Sequence, residues 1–324
     1  MSIQVRYFET TARAVLLREP TFDEDQRRQG KVRVLKQLKI FSANNARVCD
    51  DTLADRHPDN AVVAQKFNTK ILYKTIRCLR PKLWVNDEVI NFYLQLVAEA
   101  CATDWNQVHI FTTFFVQKAT GQEVAGPKHR TLNLNYPNVE RWTKRLTTPL
   151  FRHRLVLYPI NVGNTHWVLS GCETQVHKHK YHHKLFHVDS MHSPDSRKRR
   201  YCNLTREHFE CEHRSKVYLP HLPHLPHLPH LLPHLPHFPQ PAKYGLKTAK
   251  RSFTVELPAV PKQTNSYDCG VFVCAFVYCL CFGLQLNTFG QKHMMFFRRH
   301  MLMIIIDGKL HNLLVQELNI DEVE

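Results

Sequence analysis

The sequence lacks the features that mark secreted and membrane-spanning proteins. Residues 1–20 carry scattered charges and no apolar stretch of the kind that a signal peptide contains. The longest apolar run, residues 271–283, has 13 residues, which is too few to cross a bilayer and typical of a buried helix. The ten cysteines contain no C-x-x-C pair and no zinc-like spacing. We therefore expect reduced intracellular thiols, most of them in the core.

The composition is that of a folded protein with an excess of positive charge. Apolar residues make up 43% of the 324 residues and charged residues 22%, which excludes collagen-like, coiled-coil and wholly disordered chains. Lysine and arginine number 44 against 28 acidic residues, a formal net charge of +16. This surplus favours an anionic partner, either nucleic acid, an acidic protein or a membrane surface. No nucleic-acid-binding motif is visible, and we interpret the basic run 196–200 as a nuclear-import signal or a polar loop.

The chain divides into an extension and a larger domain. Residues 1–60 mix charges without a sustained periodic pattern, which predicts a weakly structured basic extension. Residues 61–324 form the second domain, in which helical and strand patterns recur. The spacing predicts a helix that begins at Asp87, with Asp87 as its N-cap, and a short helix from Tyr201. Strands are predicted over 155–160, 167–171 and 185–188, whereas residues 109–116 fit either a strand or a buried turn.

A repeat interrupts the second domain. Residues 219–237 contain six Leu-Pro-His triplets, broken only by Leu231. Proline at every third position excludes a helix or a central strand and favours the polyproline II conformation. We interpret the segment, about residues 212–250, as a surface insertion without chemistry. A proline-rich ligand for a partner domain is the alternative.

Four polar residues are candidates for a catalytic site, although each also has an ordinary packing or capping explanation. Cys269 stands at the start of the long apolar run, where unpaired N–H groups and the helix dipole favour a thiolate. His166 and Asp189 stand at the ends of two predicted strands, where the carboxylate can hold the imidazole tautomer. Gln263, six residues before the cysteine, can donate its amide to a developing oxyanion. Together these residues predict acyl transfer to a cysteine nucleophile.

Around these residues the sequence resembles the ubiquitin-like-protein proteases, the sentrin/SUMO-specific cysteine proteases. The resemblance extends from about residue 67 to residue 314 and includes Trp-Val-Asn-Asp-Glu-Val-Ile-Asn-Phe-Tyr at residues 84–93. Further similar segments lie at 111–115, 141–144, 263–270 and 291–301. The resemblance implies a papain-like α+β fold, in which a central helix carries the nucleophile and packs on a mixed β-sheet. The second domain would then be the catalytic domain.

The resemblance also implies roles for the four candidate residues. Cys269 would be the nucleophile and His166 the general base and then the general acid. Asp189 would orient the imidazole, and Gln263 would be the side chain of the oxyanion hole.

Three further residues match positions that bind the modifier in this family. Trp84 and Trp167 would flatten a tunnel that admits only the C-terminal Gly-Gly of the modifier, so that larger side chains are excluded. Asp87 would pair with a basic residue of the modifier. The alternatives are ordinary core packing for the two tryptophans and helix capping alone for Asp87.

The function implied is hydrolysis of the bond after the C-terminal Gly-Gly of a ubiquitin-like modifier, first of all SUMO, either in deconjugation from target lysines or in precursor maturation. The expected partners are therefore a SUMO-like modifier and SUMO-conjugated proteins, with no membrane and no nucleic acid. No metal or organic cofactor is expected, because a thiolate and water suffice for the reaction. The expected location is the nucleus, with the cytoplasm as a second one. A catalytically silent modifier-binding protein and a protease acting on NEDD8 remain as alternatives.

Overall fold

The structure, a computed structural model, describes residues 43–102, 107–121, 132–177, 180–218, 251–287 and 289–310. The helices, in chain order, are α1 (Ala43–Thr52), α2 (Tyr73–Ile76), α3 (Asp87–Cys101), α4 (Phe115–Thr120), α5 (Asp195–Tyr218), α6 (Cys269–Cys281) and α7 (Met294–Asp307). The strands are β1 (Val62–Lys66), β2 (Thr69–Leu72), β3 (Val108–Ile110), β4 (Leu155–Val162), β5 (His166–His177), β6 (Lys180–Val188) and β7 (Arg251–Glu256). Within these ranges no helix is long and apolar enough to span a membrane.

A five-stranded mixed sheet is the centre of the molecule, with the strand order β3-β4-β5-β6-β7. The central strands β4, β5 and β6 pair antiparallel, whereas the outer strands β3 and β7 pair parallel to their neighbours. Strands β1 and β2 form a separate antiparallel hairpin. Helices together with a mixed sheet make the α+β class that the sequence predicts.

Each face of the sheet packs against its own hydrophobic core. Alternate residues of β4 point to opposite faces, so that Leu155 and Leu157 join the first core and Val156 and Tyr158 join the second. The first core contains the apolar sides of α3, α6 and α7, and the second contains α4 and α5. Helix α6 is buried along nearly its whole circumference, as its uniformly apolar sequence predicts.

The structured part of the chain begins earlier than the sequence pattern predicts. Residues 1–60 were expected to form a weakly structured extension, but residues 43–52 form α1. The side chain of Cys49 is completely buried, and its thiol donates to the carbonyl of Arg299 on α7. Because α1 carries only a short apolar stripe among polar residues, its docking on α7 could not be read from periodicity. Residues 1–42 lie outside the described residues.

Helix α5 also differs from the prediction. It begins at Asp195 and not at Tyr201, so the basic run 196–200 lies in its first two turns and is not a loop. It continues to Tyr218, so residues 212–218, the first residues of the predicted insertion, are helical. Glu212 is completely buried in this helix. The Leu-Pro-His segment itself lies outside the described residues.

Buried polar groups fasten α5 to the second core. The Glu212 carboxylate accepts hydrogen bonds from the Tyr136 and Thr143 hydroxyls, at 2.9 Å and 2.7 Å, and pairs with the Lys216 ammonium at 2.8 Å. The ring of His208 lies within hydrogen-bond distance of the Tyr158 hydroxyl on β4, at 2.9 Å. These contacts help to explain how a helix rich in polar residues can be buried, because the Glu212 carboxylate and the His208 ring both have polar partners.

Histidine is unusually common in the second core. Among the described residues, four buried histidines contact its aromatic side chains: His183, His187, His208 and His213. Burial, together with nearby cationic groups, lowers the pKa of His208 to about 3. For His187, burial lowers the pKa to about 3 despite the opposing effect of the Asp189 carboxylate. Both rings are therefore neutral in the folded protein at physiological pH.

We expect the free energy of unfolding to decrease as the pH is lowered below about 6.5. The unfolded chain then protonates histidines that the folded protein keeps neutral, which costs up to about 1.4 kcal/mol per pH unit for each such residue. Urea unfolding of the wild type and of His187→Phe between pH 7.5 and pH 5 measures this slope. His187→Phe should remove one histidine's contribution, whereas His182→Asn, at an exposed ring on the same strand, should not. Equal slopes for His187→Phe and the wild type would contradict this explanation.

Candidate active site

Cys269 is the first residue of α6, as the sequence predicts. The helix begins there because the polar loop before it gives way to an unbroken apolar sequence that packs in the first core. Gly270 allows this end of the helix to approach its neighbours closely. A Cβ atom at Gly270 would lie 3.2 Å from Trp167 Cδ1 and 3.2 Å from Val85 Cβ, which is tighter than ordinary van der Waals contact.

The sheet brings His166 and Asp189 together. Strand β5 begins at His166 and the antiparallel strand β6 ends at Val188, so both residues lie at the same end of the sheet. His166 Nε2 lies 2.7 Å from Asp189 Oδ1. Asp189 is buried, and its carboxylate also accepts from the backbone N–H groups of Met191, at 2.8 Å, and Ser193, at 3.1 Å. The carboxylate is thus held in place from both sides.

The electrostatics of the pair favour a charged imidazole beside a charged carboxylate. Burial by itself lowers the pKa of His166, but the interactions with Asp189 and with Cys269 outweigh burial and raise it to about 9. For Asp189, burial opposes ionisation, yet the hydrogen bonds from His166 and the loop hold the pKa of the carboxyl well below its usual range. Asp189 occupies Nε2 of His166, which leaves the buried Nδ1 as the ring nitrogen available to Cys269.

Gln263 is buried and is tied to the segment that carries Asp189. Its backbone N–H donates to the Ser190 carbonyl at 2.8 Å, and its side-chain carbonyl accepts from the Ser190 hydroxyl at 3.0 Å. The Nε2 amide of Gln263 donates to the backbone carbonyl of Asn265 at 2.6 Å. The same amide nitrogen also donates to Asn265 Oδ1 at 3.3 Å, so Asn265 holds the Gln263 amide in place.

The two tryptophans differ in exposure. Trp167 is buried in the first core, and its indole N–H donates to the carbonyl of Val85 at 3.2 Å. Trp84, the residue before Val85, is 48% exposed. Trp167 and Val85, the neighbour of Trp84, both lie beside Gly270 of α6. Core packing describes Trp167, but it does not explain the exposure of Trp84.

Asp87 is not the N-cap of α3, contrary to the prediction. The N-cap is Asn86, whose side-chain oxygen accepts from the Val89 N–H at 3.0 Å. Asp87 is the first helical residue, where a negative charge is favourable. Burial raises its pKa, although a hydrogen bond with Thr113 opposes that rise. Because Asn86 does the capping, the Asp87 carboxylate is available for another partner.

The sequence pattern did not reveal three residues that surround the site. Phe114, which follows Thr113, is 49% exposed and gives the surface near Asp87 a second apolar side chain. Asp268 precedes the cysteine and is buried with Arg298 of α7, and Arg298 Nη2 lies 2.8 Å from Asp268 Oδ1. A charged residue in an apolar helix such as α7 is the signal that could have pointed to this pair.

The arrangement of a thiol, an imidazole, a carboxylate and an amide suits nucleophilic acyl transfer. The imidazole can exchange a proton with the thiol, and the carboxylate stabilises the imidazolium that results. No group of three or more His, Cys, Asp or Glu side chains in the described ranges is arranged to hold a metal ion. Cys269 is a free thiol.

We expect His166 to titrate near pH 9 and Asp189→Asn to move that titration down toward the ordinary histidine range. The loss of the negative charge removes the largest interaction that opposes the effect of burial. NMR of the imidazole resonances against pH measures the change, and His166→Gln identifies the signal. Glu173→Gln, on the same strand but paired with Lys184, is the matched control and should leave the titration unchanged. Titration near pH 9 in Asp189→Asn would contradict the assigned cause.

Comparison with curated proteins finds relatives that are proteases of ubiquitin-like modifiers. The ubiquitin-like-specific protease ESD4 of Arabidopsis thaliana is 27% identical over 240 residues, which cover 72% of this chain and 40% of that protein. Sentrin-specific protease 2 of Mus musculus is 26% identical over 281 residues, which cover 86% of this chain and 39% of that protein. The chain therefore spans about two fifths of the length of these relatives.

Solved structures share the fold. The C-terminal Ulp1 protease domain in complex with SMT3, the yeast ortholog of SUMO, has a TM-score of 0.55 at 19% identity, covering 82% of this chain and 96% of that one. The SUMO protease Ulp1 with its catalytic cysteine oxidised to a sulfenic acid has a TM-score of 0.54 at 18% identity and covers 82% and 95%. These likenesses confirm the papain-like α+β fold.

The family itself is shown by a match that includes the candidate site. The model of the Ulp1 protease family, C-terminal catalytic domain, matches residues 83–210 and 242–307. These ranges contain His166 and Asp189, whose side chains are hydrogen-bonded to each other, and helix α6, which begins at Cys269. The chain belongs to the Ulp1 protease family and contains its C-terminal catalytic domain.

Proposed function

We propose that this chain is a cysteine protease that hydrolyses the bond after the C-terminal Gly-Gly of a SUMO-like modifier. The observation that carries the proposal is the hydrogen bond between His166 and Asp189 at the end of the sheet that faces Cys269, with the resulting rise in the pKa of His166. Sentrin-specific protease 2 and the Ulp1 domain solved with SMT3 support the choice of SUMO among ubiquitin-like modifiers.

In the proposed reaction, the thiolate of Cys269 attacks the carbonyl carbon of the modifier's last glycine. Gln263 and the N–H groups at the start of α6 receive the oxyanion that forms. His166, in its protonated form, gives a proton to the departing lysine amine, and the carbon–nitrogen bond breaks to leave a thioester. His166 then takes a proton from water, which attacks the thioester and releases the modifier carboxylate and the free thiol.

The proposed substrate channel lies beside Trp84 and Trp167. Only residues without side chains would pass between two indole rings, which explains a requirement for Gly-Gly. Asp87 would pair with a basic side chain of the modifier, because its carboxylate is not used to cap α3. The net charge of +16 would accelerate association with an acidic modifier and make the rate sensitive to salt.

The domain boundaries and the cellular location remain parts of the proposal. The catalytic domain would begin at or before α1, upstream of residue 61, because Cys49 is buried against α7. A nuclear location would suit the basic run 197–200 on the first two turns of α5, where Arg199 is exposed.

We expect a SUMO probe with a C-terminal electrophile to form a covalent adduct with the wild type and none with Cys269→Ala. Cys211→Ala, at a partly exposed thiol outside the candidate site, should keep the adduct and is the control. Parallel NEDD8 and ubiquitin probes, scored by gel shift, distinguish the modifiers. An adduct with NEDD8 alone would show that the modifier is NEDD8 and not SUMO. Folded protein that binds SUMO but reacts with no probe would be a silent binder and would refute the proposed activity.

We expect Trp84→Ala to raise the KM for a SUMO-linked substrate by about 30-fold, because a central interface tryptophan contributes about 2 kcal/mol or more to binding. Trp84 is largely exposed, so the substitution should leave the fold intact. Leu83→Ala, at the neighbouring exposed side chain, is the control and should change KM much less. Steady-state kinetics on a C-terminal SUMO substrate give KM for each of the two variants. Equal effects of the two substitutions would exclude a specific role for the Trp84 indole.

A further inference from the structure

A single buried guanidinium connects the two segments that flank the candidate site. Arg298 on α7 is 1% exposed. Its Nε and Nη2 donate to Asp268 Oδ1 at 3.0 Å and 2.8 Å. The same guanidinium donates to four backbone carbonyls: those of Cys78 and Arg80, both at 3.0 Å, Leu83 at 2.6 Å and Tyr267 at 3.2 Å. Lysine could not supply this set, because it has three donors on one nitrogen where arginine has five in a rigid fork.

The acceptors of Arg298 belong to two different parts of the site. Leu83 immediately precedes Trp84, and the carbonyl that it offers fixes the start of the segment that leads to α3. Tyr267 and Asp268 immediately precede Cys269 and form the end of the loop that contains Gln263. The relative position of the exposed indole and the thiol therefore depends on one side chain.

Asp268 occupies the N-cap position of α6 but does not cap the helix. An aspartate at this position ordinarily accepts from the N–H groups of the first turn. Here Oδ1 accepts from Arg298, and Oδ2 accepts from the Asn265 amide and the Gln291 amide, both at 2.7 Å. The carboxylate is thus fully engaged on the side away from the helix end.

The engagement of Asp268 has an electrostatic consequence for Cys269. The first-turn N–H groups and the helix dipole stabilise a negative charge at the start of α6. A carboxylate turned back onto those groups would use them and would place a like charge beside the thiolate. The other charged groups near the thiol are His166 of β5 and, behind it, Asp189.

We propose that Arg298 and Asp268 are positioning residues for the nucleophile: Arg298 holds the Asp268 carboxylate away from the N-terminus of α6 and so keeps the first-turn N–H groups available for the negative charges of the reaction. The same guanidinium aligns the segment of Trp84 with the nucleophile loop. This inference rests on the proposed role of Cys269 as the nucleophile.

Alkylation of Cys269 by iodoacetamide as a function of pH tests the inference without any modifier. Mass spectrometry of the chymotryptic peptide that follows Tyr267 and ends at Phe272 separates this thiol from the other nine cysteines. In Arg298→Lys, the pH of half-maximal alkylation should rise by about one unit, the size of a charge effect at a partly buried helix terminus. When Arg298→Lys is combined with Asp268→Asn, the pH of half-maximal alkylation should move most of the way back to the wild-type value. The side chain at position 268, which Arg298 no longer holds, is then neutral. Arg299→Lys, at the exposed neighbour that pairs with Asp50, is the matched control and should cause no shift.

Two results would overturn the inference. The first is folded Arg298→Lys protein with an unchanged pH of half-maximal alkylation. The second is a double variant that is shifted as far as the single one, since a purely structural role of Arg298 would not be rescued by a neutral residue 268. If Arg298→Lys does not fold, Gln291→Ala replaces it, because Gln291 is partly exposed and gives one hydrogen bond to Asp268. It should shift the profile in the same direction by a smaller amount, and no shift would again overturn the inference.

The test is independent of the substrate. The expected shift in Arg298→Lys, together with a wild type that reacts with no modifier probe, would refute the proposed protease activity and leave the roles of Arg298 and Asp268 intact. A wild type that reacts with the SUMO probe, together with an unshifted Arg298→Lys profile, would support the protease activity and refute the roles of Arg298 and Asp268.

Discussion

The burial of α6 is the constraint on which the candidate site depends. A helix that is apolar on every side can be accommodated only between the sheet and the helices α3 and α7, so its position and rotation are fixed by packing. Cys269 is the first residue of this helix and inherits that fixed position. The sheet supplies His166 and Asp189 from the ends of adjacent strands, which the same core holds against α6. Cys269 and His166 therefore meet because two rigid elements pack on each other, and not because a loop adopts a particular conformation.

The two faces of the sheet pack against layers of different composition. The face that packs on α6 carries the candidate site and has an almost entirely hydrophobic core. The opposite face packs on α5 through histidines and a buried carboxylate, which are neutralised or paired. His187 shows the connection between the faces: it lies two residues before Asp189 on β6, and its ring stacks on Tyr201 of α5, with centroids 4.9 Å apart. The strand end that presents Asp189 is thus supported by a layer whose stability depends on neutral histidine.

The sequence predicts the site better than it predicts the elements around it. Cysteine at the start of an apolar run also fits ordinary core packing, so Cys269, His166, Asp189 and Gln263 became candidates only in combination and through the similar segments around them. Asn86 and Asp87 are adjacent and both favour the N-cap, so the choice between them depends on the backbone and is not visible in the sequence. Helix α5 was underestimated because residues such as Glu212 indicate a surface, whereas in the structure its charge is buried with tertiary partners. Arg298 was missed for the same reason.

Buried carboxylates mark the junctions of this basic protein. Among the described residues the buried acidic side chains are Asp189, Glu212 and Asp268, and each has a cationic or ionisable partner: His166, Lys216 and Arg298. Loss of one partner of such a pair costs about 3–5 kcal/mol, whereas an apolar replacement of both can preserve stability. These pairs therefore contribute more to the relative orientation of the groups that they join than to the net stability of the fold. The pairs of Asp189 and Asp268 join different elements of the fold, and Glu212, whose partner Lys216 lies one turn further along α5, joins that helix to the Tyr136 and Thr143 hydroxyls. Each fixes an orientation that an apolar contact, which has no direction, would leave free.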